Sequence, residues 1–302
     1  MAYTPELSMY PACGNSIEEV VKDMQMISQL TNKIRLYGAD CDQSALVLEA
    51  IKRTKIDMEV WLGNYVMPGE DEAYARQRDA IQAAIKKYGT KHIGGITVGN
   101  EYMLNYLTSQ GLSSPDINTA AGDVGAATLI RYIDDTRTNI EAMKLDKTIP
   151  IGNSDAGSFF NNLVLAKIDY GLSNVHPWFA NTTIEAAPQW TWDFFDEQNV
   201  TPATAINPNI EMYIAETGWP SGSKDVANES NGFASASVAD LQTFLDLFVC
   251  KSNDDGVKYF YFEMFDEEWK DLQFGGVEGH WGLFDKHRKM KNLKLPTCLL
   301  KS

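Results

Sequence analysis

Short runs rich in β-branched and aromatic residues recur along the chain with helical patterns between them, and that alternation is the mark of parallel strands joined by crossover helices. Eight such runs can be read: ELSMYP near residue 8, KIRLYG near 35, MEVWLG near 60, HIGGITVGNE near 97, TIPIGNS near 151, GLSNVHPW near 175, IEMYIAE near 213 and VKYFYFEMF near 261. The intervening segments carry helix signals. SIEEVVKDMQMISQL opens with Ser16 followed three residues on by Glu19, a capping box, and then repeats apolar residues at helical spacing. DQSALVLEAIKR, DEAYARQRDAIQAAIKKYG and VGAATLIRYIDDTRTNIEAMK behave likewise, and Gly89 suits the helix end that precedes it.

Eight strand-and-helix units in 302 residues match a closed (β/α)8 TIM barrel, usually about 250 residues before loop insertions. The rival is an open doubly wound sheet, which would want a phosphate-binding GxGxxG or GxxxxGK[ST] after an early strand, and neither occurs. With no linker, low-complexity stretch or longer repeat, a single (β/α)8 catalytic domain over residues 1–302 is expected.

A formal charge of -15 leaves no basic stripe for phosphates, so nucleic acid and anionic membrane surfaces are unsuitable partners and a neutral substrate fits better. No apolar run approaches the roughly 20 residues that span a bilayer, and MAYTPELSMYPA lacks a charged-then-apolar leader. Four histidines without HExxH, and cysteines without a CxxC pair, give no reason to expect a metal or another cofactor. Cys13, Cys41, Cys250 and Cys298 read either as free buried thiols or as two disulfides, Cys13 with Cys41 and Cys250 with Cys298. Sequons at Asn181, Asn199 and Asn228 are about as many as chance allows in an Asn-rich chain.

In a barrel the residues that follow each strand converge on one face. Here they are acids, amides and aromatics: Arg35 and Tyr37, then Asn100, Glu101 and Tyr102, then Asn153 and Asp155, then His176, Trp178 and Phe179. The last two strands add Glu216 and Trp219, and Glu263, Asp266, Glu267, Trp269 and Lys270. Aromatic faces beside hydrogen-bonding groups suit a sugar ring. Two carboxylates on separate strands are the minimum equipment for cleaving a glycosidic bond, and the fourth and seventh of eight strands face each other across a barrel mouth. Glu101 and Glu216 are the natural pair, with Glu263 and Glu267 as other acids able to reach the centre. His176 reads as a structural hydrogen-bond donor, and Glu263 as either a buried partner for Arg35 or a sugar contact.

VGNE, ETGWPSGS, HPWF, IRLYGADC, FEMFDEEWK and HWGLF together resemble glycoside hydrolase family 17, in particular its fungal branch of β-1,3-glucanosyltransferases and endo-β-1,3-glucanases. The resemblance runs over nearly the whole chain. It implies a retaining mechanism with Glu101 as acid/base and Glu216 as nucleophile, no cofactor, and β-1,3-glucan chains as substrate. It further implies that Tyr37 and Asn100 hold the sugar near the nucleophile and that Glu267 and Lys270 close the far side of the cleft. Tyr102, Trp178, Phe179 and Trp219 are expected as further substrate-binding aromatics. The same likeness places the protein outside the membrane, secreted or in a cell wall, with no obligatory protein partner. Transfer is expected ahead of hydrolysis, and a barrel that binds glucan without cutting it is a remote third.

Overall fold

The structure, a computed structural model, describes residues 1–298. In chain order the elements are α1 (Ile17–Ile27), β1 (Lys33–Arg35), α2 (Gln43–Thr54), β2 (Glu59–Asn64), α3 (Asp71–Tyr88), β3 (Ile93–Asn100), α4 (Tyr102–Ser109), α5 (Ala120–Ala142), β4 (Ile151–Ala156), α6 (Asn162–Leu165) and β5 (Tyr170–Asn174). There follow α7 (Ala187–Phe195), α8 (Thr201–Ile206), β6 (Glu211–Thr217), the two short strands β7 (Ser230–Asn231) and β8 (Ala234–Ser235), α9 (Val238–Asp254), β9 (Tyr259–Tyr261) and α10 (Glu268–Gln273).

The main sheet has the order β1-β2-β3-β4-β5-β6-β9. Strand order that follows chain order, with helices in the crossovers, belongs to the (β/α)8-barrel class; a doubly wound sheet reverses direction part-way. The eighth expected run, ELSMYP, is not a strand. Leu7, Met9 and Tyr10 are exposed there, Leu7 and Cys13 take positive φ, and the Cys13–Cys41 disulfide ties the loop to the turn before α2. Alternation in a six-residue window bounded by two prolines imitated a strand, while the buried run MAY just before it makes the sheet-like bonds. Tyr3 N–H donates to the Arg35 carbonyl (3.1 Å), and Ala2 exchanges bonds with Tyr261 and Met264 (2.9 and 3.2 Å).

Two compact units make up the chain. One comprises residues 3–173 and 198–212, and the other residues 1–2, 174–197 and 213 onward. In the first unit, β1 to β4 pair in parallel, and Ile34, Val60, Leu62, Ile96, Val98 and Ile151 are buried. Such strands are covered on both faces and read as continuous apolar runs. Gly95 and Gly152 have a specific use, because a Cβ at either would collide with the ring of Tyr170, which itself packs edge-on against Trp61 at 4.5 Å. Ser16 caps α1 by accepting from Glu19 N–H. In the second unit β6 pairs with β9 in parallel; Phe244 and Phe248 of α9 stack at 5.0 Å, and the Cys250–Cys298 disulfide anchors the C-terminal segment to that helix. Both cysteine pairs are thus oxidised. Among the described residues no helix is long and apolar enough to cross a membrane.

Candidate active site

In the first unit the residues around Glu101 are arranged by the backbone. Opposite β4 the register runs Thr97 to Gly152 but Asn100 to Ser154, so β3 carries one extra residue there. Such a bulge re-aims the side chains that follow it. Gly99 takes φ +83 within it. Asn100 Oδ1 then accepts from Arg35 Nη2 (2.9 Å) and Ser154 Oγ (3.2 Å), and Arg35 Nη2 also reaches Ser154 Oγ (3.2 Å). The buried Arg35 guanidinium lies 4.5 Å from the centre of the Tyr37 ring. Arg35, Tyr37 and Asn100 therefore form one constellation.

Glu101 itself stands at φ 56, ψ 33, a left-handed conformation that costs a side-chain-bearing residue about 1–2 kcal/mol. Backbone bonds hold it there: its N–H donates to the Ser154 carbonyl (3.1 Å), and its carbonyl accepts from Asn105 N–H (3.0 Å) and Asn105 Nδ2 (2.6 Å). Although Glu101 occupies the N-cap position of α4, its side chain does not cap the helix. Asp155 does so, accepting from Met103 N–H (2.8 Å) and Leu104 N–H (3.3 Å). Burial pushes the Asp155 carboxyl well above its ordinary range, the neighbouring Glu101 charge adds to this, and the three N–H groups it accepts from oppose it.

Tyr102 corrects an expectation. It is only 1% exposed, sits edge-on to Tyr132 at 6.3 Å and hydrogen-bonds Thr128, with burial raising its phenol; it belongs to the core, not to a sugar surface. The first residue of a helix points wherever that helix docks, and docking was not readable from VGNEY.

In the second unit Glu216 is the penultimate residue of β6, within a register shift against β9, and is 5% exposed. Its Oε2 lies 3.0 Å from His176 Nε2, so the imidazole carries its proton on that nitrogen when Glu216 is ionised. The His176 ring is wedged among Trp281 (4.9 Å), Phe262 (5.2 Å) and Phe179 (6.0 Å). Beyond β9, Lys270 Nζ of α10 contacts both oxygens of Glu263 (3.0 and 2.9 Å) and Oε2 of Glu267 (3.2 Å). Glu263 is therefore paired with Lys270. Burial opposes the charge on Lys270, but Glu263, Glu267 and Glu216 outweigh it and hold the ammonium above its ordinary pKa. Burial drives the Glu263 carboxyl upward, Glu267 adds to that, and Lys270 opposes both; an ammonium bridging both oxygens marks a charged pair. Glu278 is raised by burial as well, with His176 and Lys270 pulling it down.

Of the aromatics in this unit, Phe179 is 52% exposed and packs on Trp281 at 5.9 Å and Trp178 at 5.2 Å. Trp178 is 6% exposed. Trp219 is the second correction: it is fully buried, donates from Nε1 to the Ser235 carbonyl (2.8 Å) and stacks on Phe244. It serves as the anchor of the ETGWPSGS loop, which Lys291 also holds by donating to Ser221 Oγ (2.6 Å) and Asp266 Oδ1 (2.7 Å). Lys291 was invisible in the sequence, one lysine among several in KMKNLK. Trp281 lay in HWGLF and Glu278 just before it, yet no strand pointed at them.

A barrel-class fold bearing buried carboxylates beside aromatic rings at strand ends is that of a glycoside hydrolase. The chain belongs to the BtgE/BtgC glycoside hydrolase domain family, whose model matches residues 1–282. It is 34% identical over 312 residues to a putative glucan endo-1,3-beta-glucosidase btgC of Aspergillus niger, covering 98% of this chain and 43% of that protein. It is 35% identical over 318 residues to a probable glucan endo-1,3-beta-glucosidase btgC of Aspergillus oryzae, covering 99% and 43%. The chain thus spans less than half the length of these curated relatives. In fold it is similar to the crystal structure of a glycoside hydrolase family 17 beta-1,3-glucanosyltransferase from Rhizomucor miehei, with TM-score 0.74, 20% identity, and coverage of 100% of this chain and 97% of that one. An endo-laminarinase from Formosa matches with TM-score 0.72 at 20% identity, covering 94% and 82%.

Proposed function

We propose that this chain is the catalytic domain of a retaining enzyme that cuts and re-forms β-1,3-glucan through a covalent glucosyl-enzyme, with Glu216 as nucleophile and Glu101 as acid/base. The observation that carries this reading is the setting of Glu216: a buried carboxylate at a strand end, one oxygen engaged by His176 at 3.0 Å, next to a buried ammonium whose charge its own field helps maintain. A nucleophile must be ionised and fixed, and this setting favours both. In the first step Glu216 bonds to the anomeric carbon while Glu101 gives its proton to the departing sugar oxygen. In the second, Glu101 takes a proton from the incoming hydroxyl, which attacks the anomeric carbon from the face the departing sugar left and breaks its bond to Glu216.

Family membership and the names of its relatives support β-1,3-glucan as the substrate. A sugar acceptor is proposed ahead of water, because the exposed ring of Phe179 beside Trp178 and Trp281 offers an apolar face on which a second sugar packs. Hydrolysis is the second reading, and the endo-1,3-beta-glucosidase names of the Aspergillus relatives favour it. Residues 1–302 are proposed to work as one domain, and the two disulfides support an extracellular, wall-remodelling setting.

Incubation with laminarioligosaccharides tests the reading: products longer than the starting chain are expected, and shortening alone would leave hydrolysis. Azide with Glu216→Ala is expected to yield an α-glycosyl azide, and with Glu101→Ala the β anomer; exchanged products would reverse the two roles.

A further inference from the structure

Three sequons look alike in sequence, but the fold sets them apart. Asn199 is 1% exposed, with its Oδ1 accepting from Ser173 Oγ (2.8 Å) and its Nδ2 donating to the Gly157 carbonyl (2.6 Å). A sugar on that nitrogen would have to break both bonds and enter a packed interior. Asn181 is on the surface, but its Oδ1 accepts from Phe233 N–H and its amide lies so close to Gly232 that a Cβ there would collide with it. Its amide is pressed against the turn between β7 and β8, with a backbone in the left-handed region.

Asn228 differs from both. It closes a single 3-10 turn, Val226–Asn228, and is exposed, as are Glu229 and, in β7, Ser230, the rest of its sequon. Its Nδ2 donates to both Asp225 oxygens (2.8 and 2.9 Å), so the nitrogen uses two protons on one carboxylate. Losing one of them to a glycosidic bond leaves the other to keep the contact. The four cysteines form two disulfides, which places folding in an oxidising compartment. In eukaryotes this is also where asparagine glycosylation is carried out.

The structure assigns Asn228 as the N-glycan acceptor of this chain, with Asn199 and Asn181 unoccupied. The donor is a lipid diphosphate-linked oligosaccharide. A bond forms between Asn228 Nδ2 and the anomeric carbon, the bond from that carbon to the lipid diphosphate oxygen breaks, and one amide proton is lost. The inference stands apart from the catalytic assignment, since none of its residues is placed in the active site.

The test is glycopeptide mapping of the full chain secreted from a eukaryotic host, with enzymatic deglycosylation in heavy-oxygen water so that each formerly occupied asparagine becomes a labelled aspartate. Label at position 228 alone is expected, and Asn228→Gln should abolish the gel shift that deglycosylation produces. Label at 199 or 181, or an unlabelled Asn228, would overturn it. Mapping uses the wild-type chain, so the answer does not depend on a variant folding.

Discussion

The two proposed catalytic carboxylates both stand at a register shift but are held there by different means. Glu101 is placed by backbone geometry: a bulge, a positive-φ glycine, its own left-handed residue and a neighbouring acid that caps the helix in its stead. Glu216 also stands in a register shift, since β6 runs Ile214 to Tyr259 but Thr217 to Tyr261, yet its own φ is not positive and its carboxylate is gripped by side chains, an imidazole at 3.0 Å beside a buried lysine shared among acids. The difference matches what each has to do. A nucleophile needs one charge state and one position, which a packed ionic network supplies. An acid/base must give its proton to the leaving sugar and recover one from the acceptor in every cycle, and so must face the cleft where both oxygens arrive; Glu101 is only part-buried.

The sharpest way to break this comparison is to remove each carboxylate. Glu216→Ala is expected to lower kcat by about 10^5-fold or more, as for other lost nucleophiles, whatever the leaving group. Glu101→Ala should cost about 10^2- to 10^4-fold on laminarin but far less on an aryl glucoside, whose phenolate departs without a proton. Steady-state assays on both substrates decide it; equal losses for Glu101→Ala on the two would remove it from the acid role.

Next in size is the ionic network. Lys270→Met leaves Glu263 and Glu267 buried without their cation, a change that costs about 3–5 kcal/mol. Adding Glu263→Gln removes one of the stranded charges and should recover part of that loss. Chemical denaturation of the single and double variants measures both. If the double variant is no more stable than the single, Glu263 is not the charge that Lys270 neutralises.

How far the sequence foretold this molecule depended on the range of the interaction involved. Alternation, helix caps and strand-end positions are local, and seven of the eight expected runs overlap a strand of the main sheet. ELSMYP failed because alternation over six residues is also the pattern of a disulfide-tied loop. Tyr102 and Trp219 failed for a different reason: both follow strands, as a sugar-binding aromatic would, but each is turned into the core by a partner distant in sequence, Tyr132 and the Ser235 carbonyl. Lys270 reaches Glu263 because the loop into α10 folds back, a closure no periodicity records. Long-range pairing is what spacing alone cannot supply.

The smallest effect sharpens the backbone half of the comparison. Gly99 and Gly89 both take positive φ, +83 and +76, so alanine at either should cost about 1–2 kcal/mol through backbone strain. Their surroundings differ. A Cβ at Gly89, at the end of α3, meets nothing within 4 Å, whereas at Gly99 it would stand 3.1 Å from Asn153 Nδ2 and 3.4 Å from Leu129 and Tyr102. Asn153 uses that same nitrogen to donate to the Val98 carbonyl at 2.8 Å, so relieving the crowding moves the bulge that aims Asn100 and Glu101. Gly89→Ala should therefore lose stability with turnover unchanged, while Gly99→Ala loses a similar amount of stability and several-fold in kcat as well. Thermal unfolding and initial rates on the two variants suffice. Unchanged turnover in Gly99→Ala would mean that Glu101 keeps its aim without the bulge, and that side chains, not backbone, hold both carboxylates.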